Sequence, residues 1–158
     1  MPKASHRLNL RLLPPQLDDP LGSAVERLVE GGYLQPFGGG FAPGPRPLLE
    51  GSFVHALVVQ DPAPRFYSPG QGGFRVTCPH CHHNLVPSFS SALTRQEQEL
   101  SCTCGRRPAL SALDFRPPCA FASACLELRD VQESALFPEA LQLLEQSWGG
   151  LRVLLHRG

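Results

Sequence analysis

The chain lacks the apolar runs and the charge excess that mark several classes of protein. Its longest apolar run, Ala56–Val59, is far too short to span a bilayer. Its first residues contain no apolar segment of the secretory type, so we expect no signal peptide and a cytoplasmic protein. Fourteen basic and 14 acidic residues give a net charge of zero, which argues against a protein whose main task is to hold duplex DNA.

The sequence also lacks the short motifs of common catalytic sites. It has no Gly-x-Ser-x-Gly and no His-Glu-x-x-His, and Gly38-Gly39-Gly40 is not followed by the Lys-Ser/Thr of a phosphate loop. A zinc deaminase site needs His-x-Glu before its cysteine pair, and no Glu lies near His80. We therefore expect a protein that is not an enzyme.

Apolar periodicity predicts a first strand–helix–strand unit. A half-buried strand covers residues 6–13, with Leu8, Leu10 and Leu12 on one face. A helix follows that Asp19 caps and Gly31-Gly32 end. Residues 36–51 are rich in glycine and proline and read as a loop, before a strand at 52–60 that the prolines of residues 61–64 close.

The same order returns near the end of the chain. A long strand is predicted from Cys119 to Val131, a helix from Leu136 to Trp148, and a last strand over 151–156 with Leu151, Val153 and Leu155 inward. Two such units usually pack as one antiparallel sheet with both helices on one face. The sequence thus predicts an α+β protein with a ferredoxin-like split βαβ frame formed by residues 1–61 and 112–158.

The residues between the two units carry two cysteine pairs. Cys78-Pro79-His80-Cys81 is a C-x-x-C pair, and Cys102-Thr103-Cys104-Gly105 supplies a C-x-C pair twenty residues later. Four thiolates on two separate turns suit a closed tetrahedral zinc site, and Gly105 suits a tight turn beside the sulfurs. The sequence therefore predicts one structural zinc held by Cys78, Cys81, Cys102 and Cys104. The C-x-C pair forms a smaller chelate ring than the usual C-x-x-C pair. An alternative is therefore that His80, His82 or His83 replaces one cysteine as a metal ligand.

These pairs resemble a zinc ribbon, in which a strand, a CPxC knuckle and a second hairpin lead to a second knuckle. The resemblance implies a zinc-ribbon insert over residues 72–110 and departs from the family at the C-x-C pair. The whole chain also loosely resembles small bacterial proteins of unassigned function that carry a two-knuckle ribbon followed by a helix ending in Trp, here Trp148. The insert has few large apolar residues, so we expect it to be unfolded without metal.

Two weaker features complete the prediction. Cys119 and Cys125 are expected to be small buried or half-buried thiols on one face of their strand, with Phe121 between them. Arg7, Asn9 and Arg11 could share an open sheet face with Phe121 and Arg129, the kind of surface that single-stranded RNA binders use.

The leading functional hypothesis is a non-enzymatic zinc-ribbon protein that acts through protein contact, as an adaptor, a subunit of a complex or a cognate inhibitor of the immunity type. A nucleic-acid-binding zinc ribbon, and an enzyme with a pocket between ribbon and sheet, are the alternatives. The motivating features are the closed metal site, the missing catalytic motifs and the neutral charge.

Overall fold

The computed structural model describes residues 8–14, 21–70, 73–132 and 135–157, and shows a mixed α+β protein built on a mostly antiparallel sheet with three helices. The helices are α1 (Gly22–Glu30), α2 (Val86–Thr94) and α3 (Pro138–Trp148). The strands are β1 (Leu8–Leu13), β2 (Leu34–Phe37), β3 (Gly40–Pro43), β4 (His55–Tyr67), β5 (Arg75–Thr77), β6 (Asp114–Arg116), β7 (Ala120–Arg129) and β8 (Arg152–Arg157).

Six strands form the main sheet in the order β2-β3-β4-β7-β1-β8, and every neighbouring pair is antiparallel. Leucines alternate along β1, so Leu10 and Leu12 enter the core beneath the helices while Arg11 faces the other side of the sheet. Strand β1 lies between β7 and the edge strand β8. The predicted cap Asp19 and the predicted residue Arg7 lie outside the described residues.

Helices α1 and α3 cover one face of the sheet. They pack on each other and on sheet leucines around Leu28, Leu144 and Leu126, all fully buried. The indole Nε1 of Trp148 donates to the carbonyl of Leu21 at 3.3 Å and ties the end of α3 to the start of α1. Gly149, at φ 71°, ends α3 in the left-handed conformation that glycine adopts without strain. Each buried leucine contributes roughly 1.5–3 kcal/mol through removal of apolar surface from water.

The structure corrects the predicted first unit at two places. Residues 34–43 form the β2-β3 hairpin where the sequence predicted a loop, with Leu34 paired to Pro43 and Phe37 to Gly40. Strand β4 continues to Tyr67 although Asp61–Pro64 was expected to close it. Between Gln60 and Arg65 the register of β4 against β7 shifts, so Pro62 and Pro64 lie in an exposed bulge. Proline has no amide hydrogen to donate, and in a bulge the neighbouring strand requires none.

The last strand also differs from its prediction. Leu151 and Leu155 pack against the helix-side core as expected, but Val153 is 44% exposed. Leu154 is buried on the opposite face of the sheet, with Leu13, Tyr67 and Cys125. Both faces of β8 therefore carry apolar contacts, and a single inward face is the wrong description of this strand.

The segment between β4 and β7, described over residues 73–119 and called the inserted segment below, has its own small sheet of β5 and β6. Helix α2 lies between the two cysteine pairs, where the zinc-ribbon resemblance implied a second hairpin. Proline in the first turn and the Asn84 side chain, which accepts from the Val86 amide at 3.1 Å, start this helix. A single 3-10 turn, Leu110–Ala112, then leads into β6.

The inserted segment has an apolar core, so the expectation that it holds few large apolar residues is wrong. Phe89 is 1% exposed, and its ring lies 5.1 Å from Phe66 and 5.4 Å from Phe115, centroid to centroid. Phe74 and Phe121 complete a cluster of five phenylalanines, of the nine in the chain. Phe66 and Phe121 belong to β4 and β7, so this core also joins the segment to the main sheet.

No helix among the described residues is both long enough and apolar enough to pass through a membrane.

Candidate metal centre

The four cysteines of the two sequence pairs meet at one point. The sulfur atoms of Cys78, Cys81, Cys102 and Cys104 all lie within 4.8 Å of one another. The Sγ atoms of Cys81 and Cys102 are 3.4 Å apart, and those of Cys78 and Cys104 are 3.9 Å apart. A tetrahedron of sulfurs around zinc at about 2.3 Å has edges of about 3.8 Å. The cluster therefore has the size that a bound tetrahedral metal ion requires.

The first cysteine pair lies on a tight turn, called here the first knuckle, residues 78–84. The amide of His82 donates to the carbonyl of Cys78 at 2.9 Å, and the amide of Cys78 donates to the carbonyl of His83 at 3.0 Å. The amide of His80 points at the Cys78 sulfur, 3.4 Å away. Such an amide stabilises a thiolate and fixes its direction. His82 itself takes a φ of 60°, which closes the turn.

The second cysteine pair lies on a matching turn, the second knuckle, residues 102–106. The amide of Gly105 donates to the carbonyl of Cys102 at 3.0 Å, and the amide of Cys102 donates to the carbonyl of Arg106 at 3.0 Å. Gly105 has a φ of 87°, which a residue with a side chain rarely adopts. The sequence prediction of a glycine turn at this position is confirmed.

Two thiols of the cluster, Cys81 and Cys102, have pKa values shifted in opposite directions. Hydrogen bonding by the backbone amide of Cys104 lowers the pKa of Cys102 to about 6. The backbone amide of His83 lowers the pKa of Cys81, but hydrogen bonding with the Cys102 thiol and the neighbouring sulfurs outweighs that effect and raises this pKa to about 12. Crowded sulfurs cannot all ionise unaided because like charges repel. A cation among them removes that obstacle, so the cluster is suited to a metal ion.

The three histidines of the first knuckle do not join the sulfur cluster. Among the described residues, the cluster of ligand atoms contains the four cysteines and no histidine. The ring Nδ1 of His80 instead lies 3.0 Å from Nη1 of Arg106 and links the two knuckles on their outer side. His82 and His83 are exposed. The geometry thus supplies four sulfur ligands without recruiting an imidazole.

The cluster stands between a buried base and an open surface. Cys78 and Cys102 are buried and pack in the apolar core of the inserted segment. Cys81 and Cys104 are exposed, as are the residues at 79–84 and 103–107. A metal ion held here would fix two exposed turns on a rigid phenylalanine core.

The other two cysteines lie apart from this cluster. Cys125 is fully buried and Cys119 is half-buried, as predicted. Burial raises the pKa of Cys125 to about 12 and that of Cys119 to about 11, so both are neutral thiols. The expected common face with Phe121 is wrong. Phe121 packs in the core of the inserted segment and Cys125 packs against Leu13 and Tyr67. This change of face along β7 falls where its register against β4 shifts, opposite Ser123.

The predicted open sheet face is only partly as expected. Arg11 lies over the ring of Tyr67, 5.2 Å from its centroid, and its Nη1 donates to the carbonyl of Ser68 at 3.4 Å. The Asn9 side chain accepts from the amide of Asp130, and Arg129 lies 3.9 Å from Glu127. Phe121, the one aromatic residue predicted for this face, is in the phenylalanine cluster instead. No stacking platform for bases results from these residues.

The sequence did not lead us to predict a polar cluster on this face of the main sheet. Glu127 is a buried charged residue, 8% exposed, and Tyr67 is 4% exposed with its pKa raised to about 12, chiefly by burial. Alternation along β7 places Glu127 opposite the core leucines, which is the signal that could have found it.

One cavity of about 300 Å³ lies in the frame and is lined by Tyr33, Arg46, Pro47, Phe137, Pro138 and Glu139. The guanidinium of Arg46 already has partners in this cavity. It stacks on the Tyr33 ring at 4.6 Å, pairs with Glu139 and donates to the carbonyl of Gly31.

A scan of protein-family models and searches of curated proteins and of solved structures found nothing that matches this chain. The four clustered cysteines, which can hold a metal ion such as zinc, are therefore the feature from which function must be argued.

Proposed function

We propose that the protein is a non-enzymatic binding protein in which one structural zinc shapes a protein-contact surface at the two knuckles. The observation that carries the proposal is the cluster of four sulfurs at the base of two exposed turns. Four thiolates fill a tetrahedral shell and leave no open position for water or substrate. The ion would then act on the shape of the turns rather than on a reaction.

The surroundings of the metal centre favour a protein partner over a nucleic acid. Most arginines near the knuckles face a carboxylate: Arg107 lies 3.8 Å from Glu99, Arg116 3.5 Å from Asp114 and Arg95 4.0 Å from Glu97. Nucleic-acid affinity comes largely from cations that are free to neutralise phosphates. The carboxylates offset part of the local positive charge, and together with the missing aromatic platform they weaken the nucleic-acid alternative.

The architecture proposed with this function is a ferredoxin-like frame of residues 1–61 and 112–158 that presents a ribbon-like insert of residues 72–110. Support for the frame is the strand order β4-β7-β1-β8 with α1 and α3 on one face. Support for the insert is the pair of knuckles, the first of which directly follows β5, although α2 replaces one hairpin. An adaptor, a subunit of a complex and a cognate inhibitor all fit this arrangement.

The test is site-specific crosslinking in the cells that express the protein. A photoreactive residue at Thr103, exposed in the second knuckle, is expected to join the chain to one protein, and the same group at Glu145, exposed on α3, is the matched control. Adding a Cys78→Ser change should abolish the Thr103 adduct, and a Cys119→Ser change should leave it intact. Adducts to nucleic acid alone, lost steeply with salt, would contradict the proposal and support the alternative.

A further inference from the structure

The sulfur atoms of the metal centre form two close pairs, and each pair joins the two knuckles. Cys81 of the first knuckle lies 3.4 Å from Cys102 of the second, and Cys78 lies 3.9 Å from Cys104. Each pair combines one exposed sulfur, on Cys81 or Cys104, with one buried sulfur. An oxidant can therefore reach one member of each pair from solvent, and its neighbour lies within reach of the product.

We propose that the four-cysteine cluster is a site of oxidative modification, at which hydroperoxides convert it into the cross-knuckle disulfides Cys81–Cys102 and Cys78–Cys104 and expel the metal ion. This inference rests on the metal centre proposed above. It adds a second chemical state to the same four residues.

The reaction balances with hydrogen peroxide as the oxidant. In the metal-bound cluster Cys81 is held as a thiolate although its pKa is raised in the free cluster. This thiolate attacks one peroxide oxygen, an S–O bond forms, the O–O bond breaks, and the departing hydroxide takes a proton to give water. The Cys102 thiolate then attacks the sulfenic sulfur, the S–S bond forms, and the second oxygen leaves as water after protonation. Two thiolates lose two electrons and one peroxide gains them. Repetition at Cys104 and Cys78 consumes a second peroxide, and no thiolate remains to hold the ion.

The connectivity has a structural consequence. A disulfide within one knuckle would leave the two turns unconnected. A cross-knuckle disulfide would instead link the two turns to each other, as the bound ion would. Cys78 and Cys102 lie at the edge of the core beneath them, and we expect the apolar contacts around Phe89 to persist whether the turns are joined by the ion or by disulfides. The oxidised chain should thus keep its inserted segment folded while it gives up its metal.

The remaining cysteines serve as internal controls. Cys119 and Cys125 are outside the cluster, half-buried and buried, with raised pKa values, so they stay reduced while the cluster reacts. Of the six free thiols, four should disappear and two should persist.

Trypsin distinguishes the two connectivities directly. Cleavage after Arg75, Arg95 and Arg106 places the first cysteine pair in peptide 76–95 and the second in peptide 96–106. The full chain is treated with hydrogen peroxide, blocked, digested without reduction and weighed by mass spectrometry, and a chromogenic chelator follows metal release. The expected result is one species linking the two peptides, four masses of hydrogen lighter than their sum, with one metal released per chain. Separate peptides with internal disulfides, or sulfinic acids, would overturn the proposal.

Two double variants resolve which sulfurs pair. Cys78→Ser with Cys104→Ser leaves the closest pair, Cys81 and Cys102, which should form its disulfide faster than the Cys81 and Cys104 pair left by Cys78→Ser with Cys102→Ser. Equal or reversed rates would overturn the stated pairing. Metal analysis before oxidation separates the two hypotheses: a metal-free wild-type chain contradicts the proposed function, while the linked peptides still decide the connectivity.

Discussion

The frame and the inserted segment are stabilised in different ways. The frame, which comprises the six-stranded sheet with α1 and α3, rests on a large aliphatic core in which Leu12, Leu28, Leu126 and Leu144 are fully buried. The inserted segment has two short strands, one nine-residue helix and a compact cluster of phenylalanines, with four thiols at its outer end. Among the residues that the structure describes, the side chains arranged to hold an ion all lie in the second region.

The frame and the inserted segment therefore have different roles in the proposed function. The frame needs no ion because its sheet and helices already bury the apolar faces that the sequence alternates. The inserted segment is anchored through Phe66 and Phe121, so the metal centre stands on a rigid base. We therefore expect an ion to be required only for the turns beyond that base. Each of the following changes acts on one side of this contrast.

Truncation of the central phenylalanine is expected to have the largest effect. Phe89→Ala removes a ring that contacts four other phenylalanines, and should lower the free energy of unfolding by about 3–5 kcal/mol. Hydrogen exchange should show lost protection in β5, α2 and β6. The matched frame variant Leu144→Ala, expected to cost about 2–5 kcal/mol, should lose protection in α1 and α3 instead. The same exchange pattern in both variants would show that the two regions are one cooperative unit.

Metal withdrawal is expected to act over a smaller part of the chain. A strong chelator, or Cys102→Ser, should release the ion and remove amide protection at residues 78–84 and 102–106, while β5, β6 and α2 keep theirs on the phenylalanine core. Cys119→Ser controls for loss of a thiol outside the cluster. Hydrogen exchange read by mass spectrometry checks this, and collapse of the whole segment would restore the initial expectation of a metal-dependent fold.

A smaller effect should appear in alkaline solution on the far side of the sheet. Burial raises the pKa of Tyr67 from 10.0 to about 12, so folding favours the neutral phenol. The resulting stability is fully present below pH 10 and is lost as the pH rises toward 12. Tyr67→Phe should flatten this part of the pH dependence of unfolding. In a Tyr33→Phe background, absorbance should show Tyr67 ionising near pH 12 when folded; ionisation near pH 10 would refute its burial.

The smallest expected effect concerns the Arg46 contacts at the edge of the frame. Arg46 pairs with Glu139 and stacks on Tyr33, but both charged side chains are more than half exposed. Exposed pairs of this kind contribute about 0–1 kcal/mol. Arg46→Ala should therefore change the midpoint of denaturant unfolding little and leave metal content unchanged. A loss comparable with that of Leu144→Ala would mean that this contact organises the frame.

Sequence periodicity was sufficient for the elements of the frame that bury mainly one face. Leu10 and Leu12 in β1, and the apolar side of α3, follow the strand and helix periods closely. The β2-β3 hairpin and the far half of β4 escaped prediction because glycine and proline usually mark loops. In this chain they occupy a tight hairpin and an exposed bulge, where tertiary pairing overrides local preference.

The clustering of the four cysteines was predictable from their spacing alone, whereas the helix and the phenylalanine core that support the cluster were not. Leu85, Phe89 and Ala92 recur at a helical spacing and are all buried, and this signal would have found α2. The zinc-ribbon resemblance implied a hairpin at this place instead of a helix. The joining of Phe66 and Phe121 to that helix depends on strands far apart in sequence, which periodicity within one window cannot show.

The coordination of the metal in the full-length chain tests the central claim most directly. X-ray absorption at the zinc edge, combined with elemental analysis of the purified protein, should find one zinc per chain with four sulfur neighbours at about 2.3 Å. A protein without bound metal, or an ion with oxygen or nitrogen in its shell, would contradict a closed four-sulfur centre and the non-catalytic function inferred from it.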